Sequence, residues 1–287
     1  MKLIWHIGPH KTGTTSLQTG LAAHAASGRA SYYYPPVGDY GPGHAVLAWQ
    51  FLGLNRRERS PDVILAEVRR AESLGHSKMV LSSEEFSRAL LTPESFAQFA
   101  DVCDGVDCEL VITLRPLPER IYPELQELIK NGQKLNLGNA QEVLEAVMIR
   151  PGLRPEFLSA AIGETHASAV SIVMVDNEMP EKIFKGLSSI VGDDVPIPRN
   201  AATNPSYPFV KAAWLDIINR YAGAPISQSR TAVEAAFQAA TGRLSVLAEV
   251  PYPPLPPAVQ RYADGTWAQQ LAYLTVLVTE RRVRLIR

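Results

Sequence analysis

Between an apolar run and a helical stretch the chain reads Gly8-Pro9-His10-Lys11-Thr12-Gly13-Thr14-Thr15-Ser16, placing two glycines, one lysine and four hydroxyl-bearing residues in nine positions. Such a turn suits an anion. Main-chain N–H groups at a glycine-containing turn and at a helix N-terminus lack internal acceptors, and Thr14, Thr15 and Ser16 add hydroxyl donors beside them. The stretch fits the phosphate loop G-x-x-x-x-G-K-[ST] at every position but one: Thr14 stands where a nucleoside triphosphatase has its lysine. There the lysine reaches the outer phosphates and the next residue holds magnesium. Here the lysine comes three residues earlier, as Lys11, inside the loop and over the anion itself.

The elements that must position this turn follow from the patterning. Four short apolar runs, mostly rich in β-branched residues, predict buried strands: "LIWHI" (3–7), "MVLSS" (79–83), "ELVITL" (109–114) and "VSIVMV" (170–175),. Helical patterns separate them. Ser60-Pro61-Asp62 opens one helix with a hydroxyl cap, a proline and an acid, and Gly75 closes it; Thr92-Pro93-Glu94 opens another,. Strands separated by helices pair in parallel, with ligands beyond their carboxyl ends, where the Gly8–Ser16 loop lies. The expected fold is a P-loop-like three-layer α/β fold, a central parallel sheet flanked by helices, in one domain over 1–287. Residues 207–287 read as a mostly helical covering layer.

Apolar residues at 46% and charged residues at 20% are ordinary for a globular protein,. A formal net charge of -1 supplies no global field for nucleic acid or anionic lipid, so anion binding has to be local,. Cys103 and Cys108 lack companions at zinc-site spacing and read as buried thiols,. No apolar run approaches the ~18 residues that span a bilayer, which predicts a cytoplasmic protein with no membrane insertion.

The residues "IGPHKTGTTSLQ" (7–18) resemble the 5'-phosphosulfate loop of the sulfotransferases that use 3'-phosphoadenosine 5'-phosphosulfate (PAPS), in the form found in bacterial members of that family. More loosely, "VLSSEEFS" (80–87), "ITLRPLPERIYPELQELIKNG" (112–132), "FLSAAIGE" (157–164) and "NPSYPFVKAAWLDIINR" (204–220) resemble segments of the same proteins in the same order. The resemblance covers roughly residues 1 to 220. It implies transfer of a sulfuryl group from PAPS, as co-substrate, to a hydroxyl or less readily an amine of a carbohydrate-like or small acceptor, with no metal. Lys11 would stabilise the leaving phosphoadenosine oxygen. Gly8, His10, Thr12, Gly13, Thr14, Thr15, Ser16 and the loop amides would hold the 5'-phosphate.

The resemblance also implies an arginine at a strand end and a serine eight residues later for the 3'-phosphate. Arg115 follows "ELVITL" in the right place, but position 123 is a proline, with neither a hydroxyl nor an N–H,. Arg120 or Tyr122 is a candidate substitute, and Pro123 is expected to kink the helix begun at Pro118 or shift its start. The family's C-terminal "RKG" loop is absent as well; Arg199 and Asn200 stand nearby.

A hydroxyl acceptor needs a proton acceptor. Glu84, after the second strand, is the first candidate, with Glu85 beside it; His44, in a glycine-rich loop, is another. His10 is placed to orient Lys11 or meet the acceptor, while His6 packs in the first strand. Tyr32, Tyr33, Tyr34 and Tyr40 are either a sugar-stacking surface or an edge of the core. Two rival functions stay open: a degenerate member that binds only nucleotide or acceptor, and a P-loop kinase or NTPase with Asp176 on a magnesium strand.

Overall fold

The structure, a computed structural model, describes residues 1–198 other than 39, 61, 92, 138, 149–153, 155, 164 and 176–179, together with 212, 213, 215, 252–280 and 283–286. Five strands, β1 (Lys2–His6), β2 (Lys78–Ser82), β3 (Asp107–Leu114), β4 (Ala169–Met174) and β5 (Arg284–Ile286), form one sheet in the order β2-β1-β3-β4-β5. Every pairing is parallel. The chain leaves β1 for β2 on one side and then crosses to β3 on the other, so the order reverses at β1. In a doubly wound sheet that reversal opens a crevice at the carboxyl ends of the strands.

The first four strands fall within two residues of the runs that predict them. The fifth is a correction: "VRLIR" was expected to continue a terminal helix. That helix instead ends at Thr279, and Arg284, Leu285 and Ile286 pair with Ser171, Ile172 and Val173. The exposed edge of β4 supplies ladder hydrogen bonds that no local pattern announces.

Alternation along β1 divides the core. Leu3, Trp5 and Ile7 face one side of the sheet with Leu81, Leu110 and Ile112; Ile4 faces the other with Val80, Val111 and Val173. On the first side Trp5 stacks on Phe99 with ring centres 4.0 Å apart and meets Phe51 and Phe86 edge-on. On the second, α1 (Thr14–Ala26) brings Leu17 and Leu21 against Phe184 and Leu187 of α8 (Pro180–Val191). β1 is thereby buried on both faces, as a central parallel strand requires.

Further helices among the described residues are α2 (Ala45–Leu52), α3 (Asp62–Ser73), α4 (Pro93–Gly105), α5 (Leu117–Lys130), α6 (Ala140–Met148), α7 (Phe157–Gly163) and α9 (Pro257–Thr279); a 3-10 turn covers Glu84–Leu91. Gly75, at φ 82°, stops α3 as its position suggests. His76 N–H bonds the Ala71 carbonyl, a reverse turn that a left-handed residue permits,. Among the described residues no helix is long and apolar enough to cross a membrane.

Pro123 lies inside α5, which runs on from Leu117 to Lys130. A proline there forfeits one helical bond and costs about 3 kcal/mol. Against it stand Leu117, Ile121, Leu125, Leu128 and Ile129, all buried with Val143, Val147, Val259 and Ala263 of α6 and α9. Each such side chain contributes about 1.5–3 kcal/mol on burial, so packing carries the helix through the lost bond. Of the mostly helical layer expected over 207–287, residues 207–211, 214 and 216–251 lie outside the described residues.

Candidate functional site

The loop between β1 and α1 crosses the carboxyl edge at the point where the strand order reverses. Gly13 precedes α1 at φ 79° and Lys11 adopts φ 63°, so the chain takes two left-handed steps before the helix begins. For a lysine such a conformation costs about 1–2 kcal/mol, and alternating hands of this kind turn successive N–H groups toward one concavity. Leu17 is the residue whose N–H closes on the Gly13 carbonyl, at 3.4 Å. The first N–H groups of α1 have no acceptor within the helix.

Beneath the loop runs a buried chain of hydrogen bonds that ties three strands together. Thr12 donates its hydroxyl proton to the Pro9 carbonyl at 2.8 Å, which leaves its oxygen to accept from Thr113 at 2.8 Å. Thr113 has then spent its proton and accepts from His6 Nε2, 3.2 Å away,. His6 Nδ1 accepts from the Ser82 hydroxyl at 2.8 Å. Counting protons along the chain therefore assigns His6 as the neutral Nε2–H form. Burial agrees, pulling its pKa down to about 4. Gly8 is part of the same construction: a Cβ there would sit 1.9 Å from Thr113 Oγ1 and 2.9 Å from His6 Nε2. Only a glycine lets the loop lie this close to β3.

Lys11 turns toward α5. Its Nζ donates to Glu127 Oε2 at 2.9 Å, with side chains 18% and 27% exposed. Lys130, one turn further along α5, lies 4.0 Å from the same oxygen. Burial pushes the Glu127 carboxyl up, but the Lys11 charge and hydrogen bond, with Lys130 and His10 behind them, hold it below the usual carboxylate range. Arg115 stands at the end of β3 and donates to Glu119 Oε2 at 3.2 Å.

Glu84 reaches the loop. Its Oε2 accepts from Gln18 of α1 at 2.9 Å and its Oε1 lies 3.8 Å from His10 Nδ1, while Glu85 Oε1 lies 3.7 Å from His10 Nε2. His10 thus sits between two carboxylates, one anchored by Gln18 and the other by Arg88 at 3.0 Å. Thr14 is buried; Thr15 and Ser16 are partly exposed in the first turn of α1.

Other candidates are placed elsewhere. His44 is buried, accepting at Nδ1 from the Ser82 N–H and donating from Nε2 to the Pro35 carbonyl, each at 3.0 Å. Both nitrogens serve the main chain, and burial pulls its pKa down to about 4 against those bonds. His44 thus pins Pro35 to β2 through both ring nitrogens. Both candidates to replace a serine at 123 have partners within the protein. Arg120 is buried 3.5 Å from Glu124, and Tyr122 donates to the Pro253 carbonyl at 2.7 Å.

Three of the four tyrosines are committed to the fold, Tyr32 to the Leu21 carbonyl, Tyr33 to Glu67 and Tyr34 to the Pro42 carbonyl. Tyr40 is 65% exposed and meets Trp49 edge-on at 4.9 Å. Cys103 and Cys108 are buried thiols. Asp176, Arg199 and Asn200 lie outside the described residues. A wide hollow of about 540 Å³ sits at the opposite, amino edge of the sheet between Lys2, Glu72, His76 and Asp107, and shares no residue with the loop.

Nothing in the spacing marks Glu127, Gln18, Thr113 or Ser82 as partners of the loop. The signals that exist are weak ones: Ser82 and Thr113 are polar residues in otherwise apolar strands, which implies a partner across the sheet.

Fold and loop together define an α/β protein with a glycine- and hydroxyl-containing turn at the switch point of a parallel sheet. Compared with family models, with curated proteins and with solved structures, the chain matches none.

Proposed function

We propose that the protein is a sulfotransferase that takes the sulfuryl group of PAPS to a hydroxyl of a carbohydrate-like or small acceptor. The observation that carries this reading is the placement of Lys11. Lys11 is held in the left-handed conformation within the loop, at the sheet's switch point and three residues before Thr14, where a triphosphatase lysine would stand, and its ammonium meets a carboxylate of α5.

In this reaction the acceptor oxygen attacks sulfur and the bond between sulfur and the bridging phosphate oxygen breaks. The acceptor proton passes to Glu84, the carboxylate that Gln18 fixes beside the loop,. Charge gathers on the departing 5'-phosphate of 3',5'-phosphoadenosine, where Lys11 and the N–H groups of the first turn of α1 stabilise it. Arg115, at the neighbouring strand end, is assigned to the 3'-phosphate. The fit is incomplete there, since Pro123 supplies no donor.

Calorimetry with 3',5'-phosphoadenosine, followed by turnover of PAPS with a panel of hydroxylated acceptors, tests the reading. Binding together with acceptor-dependent release of 3',5'-phosphoadenosine is expected. Binding without transfer to any acceptor favours a nucleotide-binding member that has lost catalysis, a reading that Pro123 encourages. Magnesium-dependent hydrolysis of ATP would replace both with an NTPase.

A further inference from the structure

We propose that Glu127 is the resident anion of the loop: it holds Lys11 when no ligand is bound, an incoming phosphate displaces it, and it thereby sets the charge a ligand must bring. The inference rests on reading the loop as an anion site, though not on the identity of the nucleotide.

Three observations carry it. The ammonium that the loop's conformation delivers is bound to Glu127 Oε2 at hydrogen-bond length, 2.9 Å, by a residue 116 positions away on a separate helix. Nothing in the local backbone requires this pairing. It is also accessible: the two side chains retain 18% and 27% exposure, so an anion arriving from solvent can exchange with the carboxylate without unpacking the core,.

The same helix treats the second cation in the same way. Arg115 is held by Glu119, so α5 presents one carboxylate to each positive group assigned to a ligand phosphate, eight residues apart on related turns,. The ligand-free site carries its own counter-charges.

Displacement also has somewhere to go. A part-buried carboxylate stripped of its cation is strongly unfavourable. Lys130 Nζ already lies 4.0 Å from the same Glu127 oxygen, so a cation stays beside the carboxylate when Lys11 leaves it. Glu127 can therefore pass from one lysine to the other as the phosphate takes Lys11. A ligand with little charge at the loop fails to compete, whereas a phosphate or pyrophosphate group succeeds. The depressed carboxyl of Glu127 keeps the resident anion ionised around neutral pH.

The test is a cycle of wild type, Glu127→Gln, Lys11→Ala and the double variant, titrated calorimetrically with 3',5'-phosphoadenosine and separately with inorganic pyrophosphate. Glu127→Gln is expected to bind both probes about tenfold more tightly than wild type, with the gain disappearing when Lys11 is alanine. Equal or weaker binding by Glu127→Gln overturns the proposal, as does a gain that survives loss of Lys11. Should the glutamine variant fail to fold, Glu127→Asp, which keeps the charge and shortens its reach, is expected to bind pyrophosphate more tightly than wild type, and no gain there overturns the idea. A Lys11-dependent gain for pyrophosphate with no binding of 3',5'-phosphoadenosine sinks the nucleotide reading and leaves the resident anion standing. Unchanged affinity for 3',5'-phosphoadenosine across wild type and Glu127→Gln does the reverse.

Discussion

Mild acid should weaken the foundation of the loop by an amount the structure lets one calculate. An unfolded chain carries His6 near the ordinary histidine value of about 6.5, while burial in the fold pulls it down to about 4,. Between those values the unfolded chain binds the proton more readily. The stability associated with neutral His6 is therefore fully present above about pH 6.5 and is lost progressively as the pH falls toward 4. At about pH 5 the loss is about 2 kcal/mol, from roughly 1.5 pH units at about 1.4 kcal/mol each. The assay compares urea unfolding of wild type and His6→Asn at about pH 7.5 and about pH 5. Asparagine sacrifices hydrogen bonds at both pH values, so only the change between them reports the proton. His6→Asn is expected to lose about 2 kcal/mol less than wild type on acidification, the other five histidines being common to both proteins. Ring resonances followed by NMR provide a direct check on the folded chain. A variant as acid-sensitive as wild type, or a His6 ring that titrates near 6.5 in the fold, refutes the proton-counted chain from Ser82 to Pro9.

Four further outcomes are expected. Lys11→Ala should lower sulfuryl transfer by about 10²–10³ with an unchanged near-UV circular dichroism spectrum, and full turnover in that variant removes the catalytic assignment. Gly8→Ala, whose Cβ would meet Thr113 Oγ1 at 1.9 Å, should cost at least about 1–3 kcal/mol of stability and spoil anion binding; an unaltered melting temperature contradicts the close approach of loop and β3,. Pro123→Ser returns a hydroxyl and an N–H to α5 and should tighten 3',5'-phosphoadenosine binding by one to two powers of ten, whereas equal affinity means that the 3'-phosphate is held elsewhere,. Trp5→Ala opens the Trp5–Phe99 stack and should cost about 3–5 kcal/mol; a loss under about 1 kcal/mol in denaturant titration would show that the cluster relaxes around the gap,.

Much of the scaffold can be read along the chain, because the features that specify it are local. The runs 3–7, 79–83, 109–114 and 170–175 are apolar on both faces and too short for a core helix, which is what a central parallel strand looks like. The loop between β1 and α1 is equally local: glycines, hydroxyls and Lys11 lie in one nine-residue stretch, and the carboxyl-edge rule gives its place in the sheet,. Glu84 is legible on the same rule, since it follows a strand end.

Tertiary structure decided which of these groups have partners, and it did so over distances that no periodicity records. Parallel pairing sets Ser82, His6 and Thr113 on neighbouring strands and makes one buried chain of residues 31 to 107 positions apart, turning an apparent packing histidine into the support of the loop. The packing of α5 brings Glu127 to Lys11, and the Pro35 carbonyl and the Ser82 N–H engage both nitrogens of His44. β5 exists because β4 had an open edge to pair with. Residue type and spacing alone therefore determined where the glycine- and hydroxyl-rich turn lies, for turns and strands are short-range objects. What Lys11 meets, and which histidines are engaged within the fold, depended on side chains meeting across it, where desolvation makes each buried polar group find a partner,.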